Sequence, residues 1–85
     1  MITTLNNGEL DELRELLAEI EHIQWWTWTM AIEKDVDPNR VMSWKNSRIP
    51  YSVLPEFVKT SDRCWADVVI ELLMKKQIIK GDNVQ

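Results

Sequence analysis

The chain has 85 residues, of which 45% are hydrophobic and 28% charged, with a net charge of −4, one cysteine and one histidine. This composition argues against intrinsic disorder and fits one domain, residues 1–85. A lone cysteine excludes an internal disulfide, and one Cys with one His does not form a metal cluster, so we expect a cytoplasmic protein. No apolar stretch approaches the roughly 20 residues of a membrane span, so no membrane partner is expected.

Charge is uneven along the chain. Residues 1–37 hold nine acidic and two basic side chains, whereas residues 38–63 hold five basic and two acidic ones. The net negative charge makes duplex nucleic acid an unlikely partner, because a polyanion repels an acidic protein at long range. A small anion needs only a local cluster of Arg and Lys, which the middle segment provides.

The first predicted element is a long amphipathic helix. Asn6 is a suitable N-cap, with Glu9 as its partner in a capping box, and the helix should run to about Glu33 or Lys34. Its stripe recurs at helical spacing, at Leu10, Leu13, Leu16, Leu17, Ile20, Ile23, Thr27 or Trp28, and Met30 or Ala31.

Two further helices are predicted. Asp37 and Pro38 indicate an N-cap and first position for a short helix, Pro38 to Lys45, and residues 46–52 form an irregular connection. A third helix should begin near Leu54 or Pro55 and end at about Gln77. Its apolar stripe is Leu54, Phe57, Val58, Ser61, Trp65, Val68, Val69, Leu72 and Leu73.

The end of the third helix leaves two possibilities. Gly81 can adopt the left-handed conformation that stops a helix. Alternatively, Ile78 and Ile79 make a short extended tail.

The expected fold is all-α. Two long helices pack antiparallel through matching apolar stripes, and the short helix and ordered loop cross one end. So small a chain has a limited core, and Trp25, Trp26 and Trp28 cannot all face inward, because neighbouring helix positions differ by about 100°. We therefore expect a homo-oligomer.

Aromatic and basic residues form the candidate site. If the connection folds back over the helices, rings and cations converge in a pocket for a small anionic, nucleotide-like ligand, because rings stack on bases and guanidinium groups bind phosphate. The predicted ligand-binding residues are His22, Trp25, Trp26, Trp44, Lys45, Arg48, Tyr51 and Arg63. Catalytic, cofactor and metal motifs are missing from the sequence, so binding without turnover is expected.

Other interpretations stay open. Core or subunit packing is the commoner role of such tryptophans, and His22 fits a hydrogen-bonded structural role. A protein-interaction or oligomerisation module is therefore the alternative, with exposed tryptophans as anchors. A third option is nucleic-acid mimicry by the acidic first helix.

The sequence also resembles a known family. A His-x-x-Trp pair (His22, Trp25), a Pro-Tyr-x-x-Leu-Pro turn (residues 50–55) and an Asp-Arg pair (Asp62, Arg63) are similar to the RyR domain, the repeat first described in ryanodine receptors. The similarity covers about residues 10–80. Val36 to Trp44 replaces the Gly-Trp-x-x-Gly-type segment of the receptor repeats.

The resemblance implies antiparallel helices with a crossing segment and a ligand-recognition module. Short stand-alone RyR-like proteins occur in bacteria, archaea and phages. The resemblance therefore implies a cytoplasmic protein of a bacterial or infected host cell. As a phage protein it would have an anti-defence role, in which it sequesters a nucleotide-derived signal.

Overall fold

The computed structural model describes residues 1–82. In chain order the elements are β1 (Thr3–Leu5), α1 (Asn7–Ile32), α2 (Pro38–Lys45), α3 (Glu56–Lys75) and β2 (Ile79–Gly81). Short 3₁₀ turns at Glu33–Asp35 and Tyr51–Val53 lie on either side of α2. The mostly helical architecture with three helices is confirmed, but the all-α class is correct only in part, because β1 and β2 form a small sheet.

The helix starts follow the predicted capping chemistry. The Asn6 side chain accepts a hydrogen bond from the Glu9 backbone N–H at 2.8 Å, and the Glu9 carboxylate accepts from the Asn6 N–H at 2.9 Å. At α2 the Asp37 carboxylate accepts from the Asn39 N–H at 2.8 Å, with Pro38 at the first helical position. Both caps satisfy backbone donors that have no partner within the helix.

The third helix ends differently from the prediction. Gln77 adopts the left-handed conformation, with φ of 60°, whereas Gly81 belongs to β2. The Ile78 N–H donates to the Leu73 carbonyl and the Gln77 N–H to the Met74 carbonyl, both at 3.0 Å. This is the Schellman pattern of hydrogen bonds, which satisfies carbonyls of the last turn. The chain therefore reverses four residues earlier than Gly81.

The two strands pair in parallel. Thr3 lies opposite Ile79 and Leu5 opposite Gly81, and the Asp82 N–H donates to the Leu5 carbonyl at 2.7 Å. Parallel strands require a long crossover, and here the three helices form it. The extended-tail alternative for Ile79 is therefore correct, and its buried side chain ties the end of α3 to the start of α1.

Helices α1 and α3 pack antiparallel, as predicted. Arg14 near the start of α1 pairs with Asp67, and Trp25 near its end shares a cleft with Val58 at the start of α3. The core between them holds Ala18 and Ala66, both fully buried, with Tyr51 and Leu54 from the connection. Two alanines in the interface let the helix axes approach closely, since interaxial distance depends on the side chains at the contact.

The face of α1 that packs on α3 is only in part the predicted one, because Leu17 of the predicted stripe packs against the core and most of the stripe does not. Its buried residues are Ala18, His22 and Thr29, whereas much of the apolar stripe lies on another side of the helix and remains exposed. The exposed fractions are 54% for Leu16, 44% for Ile20, 55% for Ile23 and 54% for Met30. Helical periodicity showed that α1 has an apolar stripe, but small and polar residues at other angles form the closer fit to α3.

The stripe predicted for α3 is divided between two environments. Val58, Val69 and Leu73 are partly buried, and Val58 packs against the core. Phe57, Trp65, Val68 and Leu72 are exposed.

The chain measures 50 × 23 × 14 Å with a radius of gyration of 15.9 Å. A compact domain of this length has a radius of about 12 Å, so the single chain is elongated.

None of the three helices of residues 1–82 is both long and apolar enough to cross a bilayer.

The Asn6 capping box is expected to contribute measurably to stability. Asn6→Ala should lower the free energy of unfolding by about 1 kcal/mol, because the Glu9 N–H loses its acceptor. At fixed protein concentration this corresponds to a drop of roughly 4–8 °C in the melting temperature followed by circular dichroism. Asn7→Ala, at the neighbouring exposed position, is the matched control and should change little. Equal losses in the two variants would contradict a capping role.

Candidate functional site

Four predicted site residues form one aromatic cluster. The buried His22 ring stacks on Trp25 with centroids 5.7 Å apart and meets the edge of Trp26 at 5.9 Å. The ring of Tyr51, in the connection between α2 and α3, lies 6.5 Å from the His22 ring, measured between centroids. The His22 Nε2–H donates to the Ile49 carbonyl at 2.6 Å, which fixes the connection against α1. The expected folding of the connection over the aromatic face of α1 is therefore observed.

Trp44 and Lys45 lie apart from this cluster. Trp44 of α2 packs against Trp28, with centroids 6.0 Å apart, and Trp28 is 55% exposed. Lys45 is exposed and borders a separate surface depression that also includes Glu33. Neither residue lines the cleft beside His22.

Arg48 is held inside the structure. Its Nη1 donates to the Glu33 carboxylate at 2.9 Å and its Nε to the Thr29 hydroxyl at 3.3 Å. The Thr29 hydroxyl in turn donates to the Trp26 carbonyl at 3.0 Å. Only 9% of the Arg48 side chain is exposed, and its charge is already paired with Glu33. Arg48 therefore anchors the connection to the end of α1.

Arg63 is likewise engaged by carboxylates. It donates to Glu15 at 2.9 Å and to Glu56 at 2.7 Å, and the Tyr51 hydroxyl donates to the same Glu15 carboxylate at 2.9 Å. Lys59 lies 5.2 Å from the centre of the Tyr51 ring. We call Glu15, Tyr51, Glu56 and Arg63 the Arg63 network.

The contacts of the Arg63 network shift the pKa values of its members. Hydrogen bonds from Arg63 and then from Tyr51 lower the pKa of Glu15 to about 2, against the cost of burial. Burial and the Glu15 carboxylate raise the pKa of Tyr51, and the two carboxylates raise that of Arg63. The network stabilises charged Glu15 and so joins α1, α3 and the connection.

A cleft opens between α1 and α3 beside the aromatic cluster. Its volume is about 400 Å³ and its lining is Glu21, His22, Trp25, Ser47, Val58, Ser61, Asp62 and Trp65. Two of these residues are acidic, and none of the eight is Lys or Arg. We call this the acidic cleft. The predicted rings and cations therefore do not share one pocket within residues 1–82, because both arginines are paired elsewhere.

The sequence analysis missed six lining residues: Glu21, Ser47, Val58, Ser61, Asp62 and Trp65. The signal was present in α3, where positions 58, 61, 62 and 65 recur every three or four residues and share one side of the helix. Asp62 and Arg63 are neighbours in sequence, so their side chains differ by about 100° around the axis. Arg63 joins its network on the other flank of the helix pair, and Asp62 faces His22.

A second feature is the exposed side of α1. Leu13, Leu16, Ile20, Ile23, Thr27 and Met30 follow one another at intervals of three, four, three, four and three residues. This alternation is the a/d spacing of a coiled coil, in which such residues contact a neighbouring helix. We call these six residues the α1 seam. The spacing is readable from the sequence, but its orientation away from α3 is not.

Comparisons with protein-family models, curated proteins and solved structures found no match to this chain. The similarity to the RyR domain stays a prediction that rests on residues 22–25, 50–55 and 62–63. Residues 1–82 also contain no group of three or more His, Cys, Asp or Glu side chains placed to hold a metal ion.

The Arg63 network predicts a pH dependence of stability. Because the folded-state pKa of Glu15 lies below its ordinary value of 4.5, its stabilisation is present above about pH 4.5 and is lost as pH falls through about 2. Glu15→Gln should flatten the fall in the urea unfolding midpoint over that range, measured by tryptophan fluorescence. Glu19→Gln removes an exposed carboxylate that forms no ion pair within residues 1–82, and it should retain the wild-type slope. Identical slopes for wild type and Glu15→Gln would contradict the assignment.

Proposed function

We propose that this chain is a helical assembly module that self-associates through the α1 seam. The observation that carries the proposal is the exposure of this heptad-spaced apolar surface, away from the face that packs on α3. Four of its six side chains are between 44% and 55% exposed. The six positions follow one another over about five turns of helix.

Burial of the seam supplies a favourable free energy. Fully burying a Leu, Ile or Met side chain contributes about 1.5–3 kcal/mol, so burying the exposed half of each contributes roughly 1 kcal/mol. The seam spans 18 residues, from Leu13 to Met30. At 1.5 Å per residue this is about 27 Å of continuous contact for a partner helix.

A second copy of the chain is the occupant that the charges favour. The six seam positions carry no charge, so two seams pack without an unpaired buried ion. In a parallel pair, the residue just before the first seam position of each seven-residue repeat faces the residue five positions later in the partner helix. Glu12 then faces Leu17 of the second copy, and Glu19 faces Gln24, so no two carboxylates are opposed.

The elongated shape of the single chain supports the same proposal. The buried hydrophobic residues of residues 1–82 are Ala18, Tyr51, Leu54, Ala66 and Ile79. This is a small core even for a chain in the size range where a single core is marginal. Pairing through α1 adds a second apolar layer without disturbing the α1–α3 interface.

Self-association is tested by placing a charge in the seam. Wild-type protein should elute from size-exclusion chromatography with a light-scattering mass of at least twice the 10.1 kDa of the chain. Ile20→Glu should lower the association constant at least tenfold, because the new carboxylate would be buried without a partner. Circular dichroism checks that the variant keeps its helices.

Ser43→Glu is the matched control, since it adds the same charge at an exposed position of α2. It should leave the mass unchanged. A wild-type protein that remains at 10.1 kDa at millimolar concentration would refute self-association, and a mass that Ile20→Glu does not alter would place the contact elsewhere.

Binding of a small anionic, nucleotide-derived ligand remains a separate prediction from the sequence. The stacked rings of His22 and Trp25 support it, whereas Glu21 and Asp62 in the same cleft repel a phosphate. Sequestration of such a signal in phage–host conflict rests on the RyR resemblance alone. The α1 seam therefore supports assembly more directly than the cleft supports anion binding.

A further inference from the structure

Asp62 has an unsatisfied acceptor inside the acidic cleft. Its Oδ2 atom is buried and accepts no hydrogen bond within residues 1–82, although the side chain lines the cleft. The nearest basic atom is His22 Nδ1, at 3.9 Å, which is beyond hydrogen-bonding distance. A buried carboxylate oxygen without a donor is costly, so a positive charge beside the Asp62 carboxylate in the cleft would stabilise it.

The His22 ring is fixed beside Asp62. A backbone carbonyl only accepts, so Nε2–H is the donor in the 2.6 Å contact with the Ile49 oxygen. This contact turns Nδ1 towards Asp62 Oδ2, at 3.9 Å.

The walls of the cleft are aromatic and its charge is negative. Trp25 is half-buried and Trp65 is 61% exposed, and Glu21 contributes a second carboxylate to the lining. Indole faces attract cations through their π electrons, and carboxylates form stronger hydrogen bonds with charged donors than with neutral ones.

We propose that the acidic cleft binds a small organic cation that carries N–H donors, namely an alkylguanidinium or a primary alkylammonium. The cationic group donates to the Asp62 carboxylate where this side chain lines the cleft, and the alkyl portion lies against Trp25 and Trp65. A quaternary ammonium lacks an N–H donor for Asp62, and a phosphate would be repelled by Glu21 and Asp62. Burial raises the pKa of the Asp62 carboxyl, and the nearby His22 acts in the opposite direction.

This site is independent of self-association. The acidic cleft lies between α1 and α3, whereas the α1 seam lies on a different side of α1. A variant that abolishes assembly, such as Ile20→Glu, should leave cation binding unchanged, and failure of one proposal does not imply failure of the other.

Isothermal titration calorimetry on the full chain tests the proposal with four probes. n-Butylguanidinium and n-butylammonium should bind saturably, at least tenfold more tightly than tetramethylammonium, and AMP should not bind. Tighter binding of AMP than of either alkyl cation would overturn the proposal in favour of an anion site. No saturable binding of either cation at millimolar concentration would also overturn it.

Substitutions then locate the site. Asp62→Asn should weaken n-butylguanidinium binding at least tenfold, because the charge-assisted hydrogen bond is lost. Asp67→Asn is the matched control: Asp67 lies on the same helix but pairs with Arg14 outside the cleft, and it should leave the affinity unchanged. Equal affinity of wild type and Asp62→Asn would refute the assignment.

A second variant guards against misfolding of Asp62→Asn. Trp65→Ala removes a mostly exposed side chain, so the fold should persist by circular dichroism, and the affinity should fall about twofold to fivefold with the lost cation–π contact. Unchanged affinity in Trp65→Ala would show that Trp65 does not contact the bound cation, which would overturn the proposal.

Discussion

The close packing of one particular face of α1 on α3 determines the rest of the structure. Ala18 and Ala66 meet at this interface with no exposed surface, and His22 and Thr29 are buried on the same side of α1. Larger side chains at the two alanines would separate the helices, because interaxial distance follows the residues in contact. Because α1 packs on α3 through this face, the Leu16 side of α1 points away from α3 and remains exposed.

Both apolar burial and polar contacts attach the connection between α2 and α3. Tyr51 and Leu54 enter the core with Ala18 and Ala66. In addition, His22 donates to the Ile49 carbonyl, Arg48 pairs with Glu33, and Tyr51 donates to Glu15. These contacts join the connection to α1 and to the turn that follows it. Because Arg48 and Arg63 pair with carboxylates outside the cleft, neither of them lies beside Glu21 and Asp62.

Two surfaces with different chemistry result from this arrangement. The α1 seam is apolar and uncharged, which suits a second helix of the same kind. The acidic cleft combines indole rings with two carboxylates, which suits a small cation. Because they occupy different sides of α1, assembly through the seam leaves the cleft open. The two proposals therefore describe a module with one surface for association and a separate cleft for a small ligand.

Local chemistry in the sequence determined the helices and their caps. Asn6 with Glu9, and Asp37 with Pro38, act through neighbouring backbone atoms, so their effect does not depend on the fold. Only the tertiary structure decided which face of α1 is buried, that Thr3 pairs with Ile79, and that Arg63 joins Glu15 while Asp62 lines the cleft. These outcomes depend on contacts between residues that lie 40 or more positions apart in the sequence. Which distant segments pack together depends on their shapes and charges, and the periodicity of a single helix carries no information about that choice.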